Sequence, residues 1–305
     1  MMATGETSSR IDLMSTLPKL QPWAEERVSK WVSGWKKAAA MTPNSPIPVL
    51  DLMPTLPDPN APPPKLGPFE TKFGAFIYDK GYRQLFRGLG YPGADAEAAL
   101  ALDRLGGEEE EEGGVLLDLS CGPGIITSRI AAKLTGFDTL VASDVSEAMT
   151  IRTAEQLDAI RQAEDADSSP SSSSSSSSVD FAAVRADVGE LPFADGSIAA
   201  IHSSAGAHCW PDAVRGFAEV ARVLKPSGTF IMSTVVLAGP IREKYVENGT
   251  ASDAAEYDAK VRDVNTPFWD AAAVKDMLGE KGAGFVDVQV VEENKCFVML
   301  QARKP

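Results

Sequence analysis

Two glycines, Gly122 and Gly124, stand in the short run Ser120-Cys121-Gly122-Pro123-Gly124. Without Cβ atoms they let a backbone loop close on a ligand, and such a loop ahead of a helix suits a nucleotide-like group. Two acids stand at matching positions further on. Asp144 follows Asp118 by about 26 residues, near the ~20 at which a carboxylate meets ribose hydroxyls in dinucleotide folds. Asp187 is placed to accept from an exocyclic purine amine, and Val188 to donate through its backbone. Either acid alone also reads as a helix cap or a solvated loop residue. In register with successive strand ends, the pair points to a bound nucleoside. Histidine is the side chain most suited to proton transfer near neutral pH, so His208 is the candidate general base, although the same ring could simply pack on Trp210. His202 falls inside a strand and reads as structural.

These residues need a scaffold to converge. Val115-Leu116-Leu117-Asp118-Leu119 is an apolar run that reads as a buried strand, and Ile125 to Ala131 follows with helical spacing. The pattern then alternates: strands at 139–143, 180–185, 198–203 and 229–235, with helices at 147–162, 212–224 and 271–281. Alternation of this kind predicts a mostly parallel sheet with helices on both faces. The runs 286–291 and 295–301, joined by Glu292-Glu293-Asn294, predict an antiparallel C-terminal hairpin. Ligands of such sheets bind outside the carboxyl ends of the strands, where the strand order reverses.

Residues 1–68 read as an N-terminal extension. A polar tail is followed by an amphipathic helix over 22–40, carrying Trp23, Val28, Trp31, Val32 and Trp35 on one face. That face either docks on the main domain or lies on a membrane surface. The proline-crowded segment 41–68 predicts an extended linker. The main domain spans 69–305. Two low-complexity stretches within it, glycine and glutamate at 106–114 and serine at 166–178, cannot bury apolar area and read as disordered surface insertions.

Composition narrows the function. The chain has 305 residues, 44% of them hydrophobic, and a net charge of −14. Such acidity argues against general nucleic-acid binding. No apolar run reaches the ~20 residues of a membrane span. Cys121, Cys209 and Cys296 lie too far apart for a disulfide framework or a zinc pattern, so no metal is expected.

The motifs VLLDLSCGPG, LVASDVSEAM, VRADVGELPFADGSIAAIHSSAGAHCWPD and EVARVLKPSGTFIM resemble the class I S-adenosylmethionine-dependent methyltransferases, in particular the small-molecule group called type 11. The run FETKFGAFIYDKGYRQLFRGLGYPG together with HCWPD is similar to a plant and algal, often plastid-targeted, subgroup. The resemblance implies a seven-stranded Rossmann-like methyltransferase sheet and S-adenosyl-L-methionine as cofactor. Asp118, Cys121, Gly122 and Gly124 would hold the methionine moiety, Asp144 the ribose, and Asp187 and Val188 the adenine. Ser120, Val145, Met149 and Ser203 complete the expected cofactor site. Cap segments at 69–93 and 237–265 would close an acceptor pocket lined by Tyr78, Tyr82, Arg83, Trp210 and Tyr245.

Three departures from the family pattern stand out: Ser120 where glycine is usual, Ala199 for an aspartate, and Ser227 for the first glycine of a turn. Ser120 is the residue at which backbone strain is expected. The implied reaction is in-line methyl transfer to a small acceptor, for which lipids, quinones and phenolics all fit, in cytoplasm or plastid. Two rival readings fit the same residues. One is a cofactor-binding module without catalysis. The other is a nicotinamide oxidoreductase, since Gly122-Pro123-Gly124 begins a dinucleotide fingerprint, but Thr127 holds its third glycine position.

Overall fold

A computed structural model describes residues 17–32, 47, 49–54, 86–105, 113–167, 179–236 and 269–305. Eight strands form one sheet: β1 (Val49–Asp51), β2 (Val115–Leu119), β3 (Thr139–Asp144), β4 (Asp180–Arg185), β5 (Ile198–Ser204), β6 (Leu224–Val235), β7 (Val286–Asn294) and β8 (Phe297–Arg303). Their order is β1-β4-β3-β2-β5-β6-β8-β7. β1 to β6 run parallel, and β8 pairs antiparallel with both β6 and β7. The order reverses at β2, which pairs with β3 on one side and β5 on the other. The glycine loop leaves β2, so it lies at the switch point where open α/β sheets bind ligands.

The inner strands are apolar at consecutive positions because both faces are covered. Leu116, Leu140, Ala142, Phe181 and Ala200 pack beneath helices α2 (Ala94–Leu105), α3 (Thr127–Ala131) and α4 (Glu147–Asp167). Leu117, Leu119, Val141, Ile201 and Phe230 pack beneath α1 (Pro22–Val32), α5 (Ala213–Val223) and α6 (Ala271–Leu278). Asp212 and Asp270 cap α5 and α6 by accepting from Arg215 and Ala273 backbone N–H groups.

The sheet is thus the expected mostly parallel one with its C-terminal hairpin, widened by an eighth strand. The extra strand, β1, lies inside the segment read as a linker: Val49 and Leu50 are buried, and the strand pairs with β4. Helix α2 is a second element that the strand–helix alternation left out. The described part of the N-terminal helix turns inward, with Ala24 and Val28 buried in the core and Gln21 bonded to the Leu191 and Pro192 carbonyls. Ala24 and Val28 of that face therefore pack on the domain, while the side chains of Trp31, Val32 and Trp35 lie outside the described residues. Among the described residues no helix is long and apolar enough to cross a bilayer.

Of the two low-complexity stretches, Gly113 and Gly114 are tied to Gly136 and Asp138, and α4 runs on to Asp167. The rest of both stretches lies outside the described residues.

Candidate active site

Parallel strands send the loops after β2, β3, β4 and β5 to one edge of the sheet, which is why residues so distant in sequence meet there. The glycine loop is bent by three left-handed residues, Ser120 (φ 57°), Gly122 (φ 56°) and Gly124 (φ 83°). At Gly124 a Cβ would fall 3.1 Å from Thr153 Cα, so the loop can lie this close to α4 only with glycine there. At Gly122 a Cβ would meet nothing within 4 Å, which leaves an open backbone cradle of the kind a ligand fills.

Ser120 is a non-glycine in a conformation costing about 1–2 kcal/mol, and its Oγ accepts from Trp210 Nε1 at 3.0 Å. The departure from glycine thus ties the β2 loop to the β5 loop. Trp210 is held in turn by edge-on packing against Phe217, with ring centroids 5.2 Å apart.

Cys121 donates its N–H to the Ser143 carbonyl at 3.0 Å, and Thr153 Oγ1 donates to the Gly122 carbonyl at 2.8 Å. Burial, aided by Asp144 and Asp118, pushes the Cys121 thiol well up, which disfavours the thiolate.

Asp118 is buried and turns both carboxylate oxygens into the fold: Oδ2 accepts from Thr127 Oγ1 at 2.5 Å and Oδ1 from His202 Nδ1 at 2.7 Å. His202 sits opposite Asp118 on β5 and is itself fully buried. The bond to Thr127 ties the two ends of the glycine loop together, and the bond to His202 ties that end of β2 to β5.

Asp144 closes the loop from the other side. Its Oδ2 accepts from Gly122 N–H at 2.9 Å and its Oδ1 from Ser146 N–H at 2.8 Å. Desolvation pushes its carboxyl up, against the lowering pull of those N–H donors. Val145 gives its carbonyl to Arg185 Nε, and Met149 is buried beside it at the start of α4.

Asp187 Oδ1 accepts from Gly189 N–H at 2.8 Å, which makes a tight turn that buries the Val188 side chain. Ser203 is buried at the end of β5, and its Oγ has no partner among the described residues. His208 stands half-buried on a short 3₁₀ turn, Ala207–Cys209, with Nδ1 3.2 Å from Thr234 Oγ1.

The structure therefore gathers Ser120, Cys121, Gly122, Gly124, Asp144, Val145, Met149, Asp187, Val188, Ser203, His208 and Trp210 on one edge of the sheet, with Asp118 beneath. Tyr78, Tyr82, Arg83 and Tyr245, with cap residues 69–85 and 237–265, lie outside the described residues.

One neighbour was not foreseen. Glu97 on α2 is buried, and its Oε1 accepts from Ser204 Oγ at 2.7 Å and Ser233 Oγ at 2.5 Å. It joins the ends of β5 and β6 beside the loop that carries His208. Glu97 is one of two acids among alanines in Ala94-Asp95-Ala96-Glu97-Ala98-Ala99, and nothing in that run sets it apart from Asp95.

Residues 117–232 match the model of a family described as a methyltransferase domain. Two chloroplastic methyltransferases of Arabidopsis thaliana, both named as uncharacterized, are each 31% identical to this chain over 237 residues, 78% of its length. The chain spans 59% and 60% of those two relatives. Among solved structures, phosphoethanolamine N-methyltransferase 2 of Haemonchus contortus, in complex with S-adenosyl-L-methionine, shares the fold. Its TM-score is 0.52 at 16% identity, covering 80% of this chain and 61% of that one. Strand order, the glycine loop at the switch point and the matched segment agree: the chain carries a methyltransferase domain over residues 117–232.

Proposed function

We propose that this protein transfers a methyl group from S-adenosyl-L-methionine to a small-molecule acceptor. The observation that carries the reading is the open cradle at Gly122, bonded to the Asp144 carboxylate at the switch point of the sheet. S-adenosylmethionine would supply a methyl group already activated on a sulfonium centre. The protein's task is then to align, enclose and, for some acceptors, remove a proton. Gly122 and Gly124 bring backbone to the methionine side, with Cys121 and Ser120 flanking them. Asp144 would accept from the ribose hydroxyls, and Asp187 with Val188 would face the adenine. Asp118 supports this loop from within rather than presenting a free carboxylate, since Thr127 and His202 occupy it.

His208, steadied by Thr234, is the candidate base for an acceptor that must lose a proton. Lipids, quinones and phenolics remain the candidate acceptor classes, and the chloroplastic relatives favour a plastid setting. Against the oxidoreductase alternative stands Thr127, whose hydroxyl is committed to Asp118 where a dinucleotide fold places its third glycine.

Calorimetry tests the reading. Binding of S-adenosylmethionine and S-adenosylhomocysteine but not NADH is expected, and the reverse would sink it. Release of S-adenosylhomocysteine in a metabolite extract, above the level without extract, separates an enzyme from a binding module.

Asp144 also predicts a pH dependence. Ribose hydroxyls bond best to the ionised carboxylate, so bound ligand lowers a pKa that desolvation has raised in the free protein. Affinity is therefore full above the raised free-state pKa and falls as pH drops through it, starting above the usual carboxylate range of about 4. Calorimetry across mildly acid pH should show this decline in the natural protein and its loss in Asp144→Asn. An equal decline in both would remove Asp144 from the ribose.

A further inference from the structure

The extra strand β1 reaches the site through a chain of polar contacts. Asp51, its last residue, pairs in register with Arg185 of β4, and Arg185 pairs with Asp144 of β3. Asp51 Oδ2 lies 3.1 Å from an Arg185 guanidinium nitrogen, and Arg185 Nε donates to the Val145 carbonyl at 2.9 Å. Asp51 is fixed in turn: its Oδ1 accepts from Met53 N–H at 3.1 Å, and Leu52 N–H donates to the Arg185 carbonyl at 2.9 Å. Arg27 of α1 donates to the Met53 carbonyl. The result is a strap from α1 through β1 and Arg185 to the backbone between Asp144 and Ser146.

Its target is specific. The Val145 peptide joins Asp144 to Ser146, whose N–H holds Asp144 Oδ1. A guanidinium is a planar fork that can bond two acceptors only in fixed directions. With one nitrogen anchored on Asp51, the other presents a fixed donor to Val145. Both side chains are largely shielded, 22% exposed for Arg185 and 33% for Asp51, so water screens the contact less than it would at an open surface. Without the strand, Arg185 would lose the carboxylate that aims it.

We infer that Asp51 and Arg185 are positioning residues for the nucleoside: the N-terminal extension, through β1, sets how Asp144 is presented to the ribose. This rests on the proposed cofactor reading. It gives the segment between the prolines a role in ligand recognition that a linker would not have.

The test uses the full chain and two ligands, S-adenosylhomocysteine and its 2′-deoxy analogue, measured by calorimetry. The natural protein should favour the ribose form. Asp51→Asn, which keeps the shape and the acceptor for Met53 but removes the charge, should weaken S-adenosylhomocysteine about threefold to tenfold, the scale of coupling between neighbouring polar groups. It should weaken the deoxy form less, so that discrimination shrinks. Arg185→Gln should do the same, and the double variant should lose little more than either single one. A variant that loses both ligands equally, or additive losses in the double variant, would mean the strap is merely structural and would overturn the inference. Unchanged discrimination in a variant of unchanged melting temperature would overturn it too. If the natural protein binds neither ligand, the cofactor reading falls first and takes the strap with it.

Discussion

Asp144→Ala is expected to weaken S-adenosylmethionine binding by about 10- to 100-fold, or ~1.5–3 kcal/mol, the scale of hydrogen bonds to a charged group. Two effects act together. The ribose loses its proposed acceptor, and the glycine loop loses the carboxylate that bonds Gly122 N–H and Ser146 N–H. Those effects can be separated. Asp144→Asn keeps an oxygen for one backbone donor while removing the charge, so it should retain the loop yet still lose much of the ribose interaction. Asp144→Glu keeps the charge but lengthens the arm, which spoils both contacts to a lesser degree. The measurement is calorimetric affinity set beside thermal unfolding without ligand. Alanine and asparagine variants with affinity equal to the natural protein would remove Asp144 from the site. A loss in alanine alone would assign it to the loop only.

The placement of Asp144 at the glycine loop was legible because it follows from type and order together: an acid at the end of an apolar run, one strand after the loop. Buried parallel strands announce themselves as continuous apolar segments, as in Val115 to Leu119 and Thr139 to Ala142. The hairpin β7–β8 was readable from its short polar connection. β1 was not. Three residues, Val49-Leu50-Asp51, are too few to show a period, and the prolines on either side argue against a strand. At the sheet edge, however, it needs pairing on one side only, and its two apolar residues fill the flanks of β4. Ser120 was legible as an oddity but not as a contact. Its partner, Trp210, is brought across by the topology, 90 positions away in sequence.

Asp118 shows the opposite case. The resemblance assigned it to the methionine moiety, whereas in the structure it lies opposite His202 in the register of β2 and β5 and bonds to His202 and Thr127. The side-chain direction that decides this is a property of strand pairing. One sequence can show that an acid precedes a loop, but not which face of the finished sheet it occupies.

Glu97→Ala is the second substitution with a large expected effect, and here the loss should fall on stability and turnover together. Glu97 is the shared acceptor for Ser204 and Ser233, at the ends of adjacent strands. Ser233 Oγ gives its proton to Glu97 and accepts from Ala205 N–H at 3.1 Å. Ala205 stands in the left-handed region, φ 51°, and begins the loop that carries His208 and Trp210. Alanine at 97 therefore removes the acceptor that two hydroxyls share and loosens the anchor of a strained residue. A buried group left without its partner costs about 1–3 kcal/mol, so a total near 2–4 kcal/mol is expected by chemical denaturation. Glu97→Gln separates acceptor from charge, because an amide oxygen can take both hydroxyl protons. Glutamine should recover most of the stability, and with it the methyl transfer lost in alanine, if Glu97 acts by holding the loop. Recovery of stability without recovery of turnover would instead mean that the carboxylate charge itself matters to the reaction. An alanine variant as stable and active as the natural protein would show that the β5 loop keeps its shape without the Glu97 carboxylate.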